Sequence, residues 1–282
     1  MLEEAQKFNL LSDVFAAVAL KDIPACQHVL RTITGIPGLK VKEIRTQYRI
    51  SKITSHDAVL DILAEDEDGN LYNIEIQRAD SINHAKRTRF YGSMVDSEFL
   101  QKGREYDEMP KVQIIYISET DIWKKNQTVY IVNKNFGGLD LSYDDGMQVT
   151  YVNAEVDDGS EIAKLMQYFK TADPQDMSQG ELSKRIRFLK CEEGGKNTMC
   201  KVTEKIMKEG ERIGEIRGER RGERRGERRG ERRGERRGRR EEKQKMALNL
   251  AKMGMPIIQI AEAAETKVEI VQNWIAGSEK II

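Results

Sequence analysis

Residues 59–77 read VLDILAEDEDGNLYNIEIQ, two strand-like runs around an acidic turn that contains one glycine. Each run carries an acidic residue where the pattern asks for an apolar or neutral one, Asp61 in the first and Glu75 in the second, with Gln77 two places on. Side chains alternate along a strand, so Leu71, Asn73, Glu75 and Gln77 share one face, and Asp61 shares a face with Val59 and Leu63. The length of the turn decides whether the two acids meet. A two-residue Asp68-Gly69 loop pairs position 61 with 76 and puts Glu75 on the other face. A three-residue loop, Glu67-Asp68-Gly69, pairs 61 with 75 and 59 with 77. Such a loop is a type I turn followed by a left-handed residue, which glycine adopts without steric cost.

Two carboxylates opposed on one face repel each other. They become sensible around a divalent cation, and oxygen ligands with no His or Cys nearby suit Mg²⁺ or Mn²⁺. A cation held by one or two carboxylates completes its shell with water and phosphate oxygens, the arrangement of phosphodiester hydrolysis. The bland alternative is a solvated hairpin face with incidental acids. His28, His56 and His84 are scattered and suggest no metal or nucleophilic triad. The Gly-Asn and Gly-Gly pairs lack the strand-to-helix context of a phosphate loop.

Outward from the hairpin, residues 8–34 read as helical. Phe8, Leu11, Val14, Phe15 and Val18 form one stripe, and Pro24 suits the first turn of a second helix. Residues 41–50 alternate as a strand. Residues 82–102 are helical by period and end at Gly103, while 111–118 is a short β-branched run of the buried-strand kind. Strands are expected at 128–136 and 148–155, and a helix at 160–171. The order implies a mixed α/β core of about 170 residues.

The 282-residue chain is 33% charged and 6% aromatic, with zero formal net charge. Residues 211–243 hold 15 Lys/Arg and 9 Glu, a net of +6, so the remainder carries −6. A basic arm on an acidic protein points weakly to a polyanion. Three separated cysteines, Cys26, Cys191 and Cys200, make neither a zinc spacing nor a disulfide framework and suggest a reducing, cytoplasmic setting. The acidic N-terminus lacks a signal-peptide start, and no apolar run is long enough to span a membrane.

GERR occurs at 218, 222, 226, 230 and 234. In a helix each glycine costs about 1 kcal/mol relative to Ala, and like charges recur at i,i+4. Without an apolar face this stretch reads as a solvated helix of marginal stability or a disordered spacer, with nucleic-acid binding as the alternative. Apolar spacing returns after it. MGMP at 253–256 and AET at 264–266 separate three helices in a pattern that resembles a helix-turn-helix, or else a small docking element.

The string VLDILAEDEDGNLYNIEIQRAD resembles the signature of PD-(D/E)XK-type nucleases. More narrowly, it is similar to the bacterial recombination-promoting nuclease and transposase family, with its LD, D-x-x-G turn and Y-x-I-E-x-Q. The segments LLSDVFAAVALKDIPACQHVLRTITG, KVKEIRTQYRI, KRTRFYGSMVD, LQKGREYDEMPKVQIIYI and YVN follow in the expected order, over residues 8–172. The resemblance implies a restriction-endonuclease-like mixed sheet flanked by helices, with a helical C-terminal extension. It implies Asp61 and Glu75 as ligands of Mg²⁺ (or Mn²⁺), with the Ile76 carbonyl as a further oxygen. Gln77 stands where the broader superfamily has Lys. An amide cannot serve as a general base, so Gln77 would orient the attacking water or hold the scissile phosphate. Asp13 and Arg87 are accessory candidates, Arg87 toward phosphate with His84 one turn before it; their plain alternatives are a helix cap and a solvated charge. The expected division is a nuclease domain at 1–172, linker and helix at 173–210, a charged spacer at 211–243 and a helix-turn-helix-like module at 244–282. The expected activity is Mg²⁺-dependent DNA cleavage, linked to recombination or mobile elements, in a bacterial cytoplasm and near the nucleoid. Homo-oligomerisation stays open. The rival is a catalytically degenerate scaffold that binds DNA or protein.

Overall fold

The computed structural model describes residues 7–51, 57–78, 83–100, 103, 105–138 and 140–279, the side chains of 202, 205–225, 278 and 279 apart. Strands β1 (Val41–Ile50), β2 (Ala58–Asp66), β3 (Leu71–Gln77), β4 (Val112–Ser118), β5 (Val129–Val132) and β6 (Met147–Asn153) form one sheet in the order β1-β2-β3-β4-β6-β5. The first three strands are antiparallel neighbours, β3, β4 and β6 run parallel, and β5 returns antiparallel on β6. The chain thus has the mixed α/β architecture of a restriction-endonuclease-like fold.

The β2–β3 register places Ile62 opposite Ile74, Leu63 opposite Asn73 and Glu65 opposite Leu71. Asp66 therefore meets Asn70 across a three-residue turn. The Asp66 N–H donates to the Asn70 carbonyl at 3.0 Å, and Gly69 sits at φ +83°. A side chain at that φ would be strained. The buried Asp66 carboxylate fixes the turn by accepting from the N–H groups of Asp68 and Asn70 and from the Tyr72 hydroxyl. This acid is a turn organiser.

Helices cover both faces of the sheet. Ile62, Ala64, Ile74, Ile76, Ile115, Ile117 and Val152 pack against α1 (Asp13–Ala19), α2 (Ile23–Thr34), α4 (Glu161–Thr171) and α5 (Gly180–Cys191). Asp22 caps α2, accepting the Ala25 N–H at 3.1 Å, with Pro24 in the first turn. Helix α5, within the stretch read as linker and helix, buries Leu182, Ile186 and Leu189 in this core. On the other face, Leu63, Leu71, Val112 and Ile114 meet Tyr91, Met94 and Val95 of α3 (His84–Phe99). Ile82, Gln101 and Lys102, also read as helical, lie outside the described residues, as does His56. Gly92 lets α3 approach closely, since a Cβ there would stand 2.5 Å from Met147 Cε and 3.4 Å from Ile114 Cδ1.

Contacts divide the chain into residues 1–204 and 205–282. Helix α6 (Glu193–Lys252) contains the whole GERR repeat, whose side chains from 227 to 237 are exposed. Between the two sequence readings of the repeat, the structure is helical. In the second unit, Ala247 of α6 packs with Ile260 and Ala261 of α7 (Ile257–Ala263), Ala264, and Val271 and Trp274 of α8 (Val268–Glu279). Helix breaks fall at MGMP and AET, as the sequence suggests.

Candidate active site

The β2–β3 ladder has its hydrogen-bonded pairs at 66/70, 64/72 and 62/74, so Asp61 and Glu75 occupy the next non-bonded position, where facing side chains stand closest. Beyond Ile62/Ile74 the regular pairing stops. The Ile76 N–H, which the ladder would direct to Leu60, instead donates to Asp61 Oδ2 at 2.9 Å. The Asp61 N–H donates to Glu75 Oε1 at 3.3 Å. On the other side, Gln47 sits at φ +50° between the pairs Thr46/Ile62 and Tyr48/Leu60, and its amide reaches Asp61 Oδ1 at 3.4 Å. Side chains thus take over the backbone's hydrogen bonds where the strands part.

Both carboxylates are buried, Asp61 to 8% exposure and Glu75 to 1%. Burial raises the Glu75 pKa to about 8, and the Asp61 charge adds to it; Asn73, Arg87 and the Asp61 N–H pull the other way. The Asp61 pKa is also raised, by burial and then by Asp13, against the Ile76 N–H, Arg87 and Gln47. Asp13 therefore lies within electrostatic reach of Asp61, although its own carboxylate accepts the Val14 N–H at the start of α1.

Arg87 projects from the first turns of α3 into this site. Its Nη1 donates to Gln77 Oε1 at 2.8 Å, its Nη2 stands 3.5 Å from Glu75 Oε2, and its Nε donates to the Tyr91 hydroxyl at 2.9 Å. Asn73 donates to Glu75 Oε1 at 3.1 Å, and the Asn73 Oδ1 is buried without a hydrogen-bond partner. Asp61, Glu75, Gln77 and Arg87 are thus brought together. His84 sits in an aromatic group with Tyr116, Trp123 and Tyr151, its ring 4.8 Å from that of Trp123. Tyr116 is the β4 neighbour of Glu75, which joins this group to the site.

Sequence reading missed Gln47, Tyr91 and the aromatic group. Tyr91 lies four residues after Arg87, a helical spacing that signals contact. Gln47 carries no such sign, because its place depends on the β1–β2 register. Among the described residues no three His, Cys, Asp or Glu side chains converge as a metal cluster. The oxygen atoms around the pair are the two carboxylates, the amide oxygens of Asn73 and Gln77, and nearby backbone. No described helix is long and apolar enough to cross a membrane.

No curated protein and no solved structure matches the chain. A family model described as PD-(D/E)XK nuclease family transposase matches residues 30–232, well over half of the sequence and all six strands of the sheet. With both acids on the central hairpin of such a sheet, the chain belongs to the PD-(D/E)XK nuclease family transposases.

Proposed function

We propose that the chain is a divalent-metal-dependent DNA endonuclease, with a nuclease domain at 1–172, linker and helix at 173–210, a charged spacer at 211–243 and a helical module at 244–282. The observation that carries the reading is the buried pair Asp61 and Glu75 at the place where β2 and β3 part. Both carboxyls have pKa values raised first by burial, and the Asp61 charge adds to the rise at Glu75, so the site disfavours two negative charges without a cation. An all-oxygen donor set fits a hard cation, Mg²⁺ first and Mn²⁺ second. A residue's N–H and C=O point to the same side of a strand, so the Ile76 carbonyl faces β2 as its N–H does and adds a third oxygen.

Bound there, the cation supplies charge stabilisation at the phosphate and lowers the pKa of water. The protein's part is positioning. Asp61 and Glu75 hold the cation. Arg87 uses three of its five N–H groups on Tyr91, Gln77 and Glu75, which leaves donors for a phosphate oxygen. Gln77 cannot take a proton near neutral pH, so it orients Arg87 and the attacking water. Asp13 acts as an accessory charge on Asp61. Links to recombination or mobile elements, a bacterial cytoplasmic location near the nucleoid, and self-association belong to this proposal as its biological setting.

The test is plasmid cleavage with Mg²⁺, Mn²⁺ or a chelator. Cutting that requires the metal supports the reading; cutting unaffected by chelation removes it. The rival, a scaffold that binds DNA without cutting, draws on the two-carboxylate site and on Gln77 in place of Lys. It predicts DNA binding with no product under any metal.

A further inference from the structure

We propose that the loop from Thr120 to Thr128 holds the DNA strand beside the cut, with Trp123 stacking on an unpaired base and Lys125 meeting a flanking phosphate. The inference rests on the nuclease reading and adds a substrate preference to it. Ser118 is the β4 neighbour of Gln77, so the loop leaves the sheet at the edge where the site lies. Trp123 places its ring 4.8 Å from His84, which is one turn before Arg87. The same ring stands 5.4 Å from Tyr151, nearly perpendicular to it.

The loop is built to keep its shape. Asp121 Oδ1 accepts from the N–H groups of Trp123 and Lys124 and from the Tyr130 hydroxyl at 2.7 Å. Its Oδ2 accepts the Asn126 N–H at 2.9 Å, and its own N–H donates to Glu155 Oε2. These bonds hold Lys124 and Asn126 at φ +53° and +57°, a left-handed conformation uncommon for Lys and more readily taken by Asn. At its tip the loop presents Trp123, 39% exposed, followed by exposed Lys124, Lys125 and Asn126.

Trp123 helps to bury Tyr151, yet part of its indole stays open to solvent. An open indole beside cations is what a nucleic-acid strand can use, because every base has a face to stack and every linkage a charge. In an intact duplex the base faces are already covered, so the indole favours an unpaired or opened strand. Glu155, Asp157 and Asp158 share a cleft with Lys124. Their charge leaves Lys125 as the phosphate contact and confines the strand to the Trp123–Arg87 side.

The chain has two tryptophans, so Trp274→Phe leaves Trp123 as the sole indole reporter. This full-length variant is titrated with a single-stranded oligonucleotide and with the matching duplex, with Ca²⁺ replacing Mg²⁺. Saturable quenching of Trp123 emission, stronger with the single strand, is expected. Trp123→Ala is expected to weaken single-strand binding about tenfold, and Trp123→Phe less. Lys125→Ala should lower the salt slope of binding by roughly one unit, independently of whether Trp123→Ala folds. Unchanged Trp123 emission at saturating single strand, or wild-type affinity in folded Trp123→Ala, overturns the proposal. Quenching by a wild-type-like protein that never cuts in Mg²⁺ sinks the nuclease reading and leaves only the loop's grip on an unpaired strand standing.

Discussion

Asp61 Oδ2 accepts the Ile76 N–H at 2.9 Å, in the place where a continued ladder would put the Leu60 carbonyl. One side chain thereby ends the pairing and keeps a buried donor satisfied, while its other oxygen accepts from the Gln47 amide at 3.4 Å. This double duty separates two substitutions. Asp61→Asn keeps a carbonyl acceptor for Ile76 and loses the charge. Cleavage is expected to fall by more than about a hundredfold with an unchanged or higher melting temperature. Asp61→Ala should also lose about 1–3 kcal/mol of stability by leaving the N–H unpaired. Full cutting by folded Asp61→Asn in Mg²⁺ would place the active site elsewhere.

Glu75 links stability to pH. Its pKa is raised from 4.5 to about 8 in the fold, so the native state holds the proton more tightly than the unfolded chain. The stability it contributes is full below about pH 4.5 and is lost as pH rises through about 8. In chelator, the melting temperature is expected to decline across that window, and Glu75→Gln should flatten the decline. Mg²⁺ favours the charged pair, so it should stabilise the wild type at pH 8 and little at pH 5. Parallel pH profiles for wild type and Glu75→Gln would refute the linkage.

Gln77 and Arg87 act as a unit, joined at 2.8 Å. Gln77→Ala is expected to reduce cleavage roughly tenfold, less than loss of Asp61. Gln77→Lys restores the commoner superfamily residue and should retain some activity, but its ammonium meets the Arg87 guanidinium. Adding Arg87→Gln to Gln77→Lys should therefore recover part of the loss. A double-mutant cycle with no coupling between the two positions would separate them.

Close packing of α3 depends on Gly92. Gly92→Leu is expected to cost about 1–3 kcal/mol by overpacking against Met147 and Ile114. Met147→Ala in the same chain should return part of it, read by chemical denaturation. Equal stability of Gly92→Leu and wild type would show that the helix has room to spare.

Deleting Gly218 to Arg237 removes five GERR units and a net charge of +5. The helix has no apolar face there, and each Arg pair adjoins a Glu. The log-affinity against log-salt slope for DNA should stay the same as in the full chain. A shallower slope after deletion would make the repeat a phosphate-binding arm, because fewer counterions would be released.

The hairpin was legible because a period of two, one glycine and one turn length suffice to set Asp61 against Glu75. Helix breaks at MGMP and AET were legible for the same local reasons. Gln47 and Trp123 were not, since one enters through the β1–β2 register and the other through a loop shaped by Asp121. Neither relation leaves a period in the chain. The repeat's own propensity left helix and coil open, and charges at i,i+3 are compatible with the helix found.

The strands β3, β4 and β6 end in register at Gln77, Ser118 and Asn153. Their outgoing connections therefore start from one rim, yet only the first hairpin carries the paired acids. Under the proposed reading, bond breaking and strand choice have separate genetic addresses. Variation between positions 119 and 128 can retune what is gripped without disturbing how it is cut, provided Asp121 is kept. Grafting that segment from one relative to another becomes a way to exchange substrate preference on an unchanged engine.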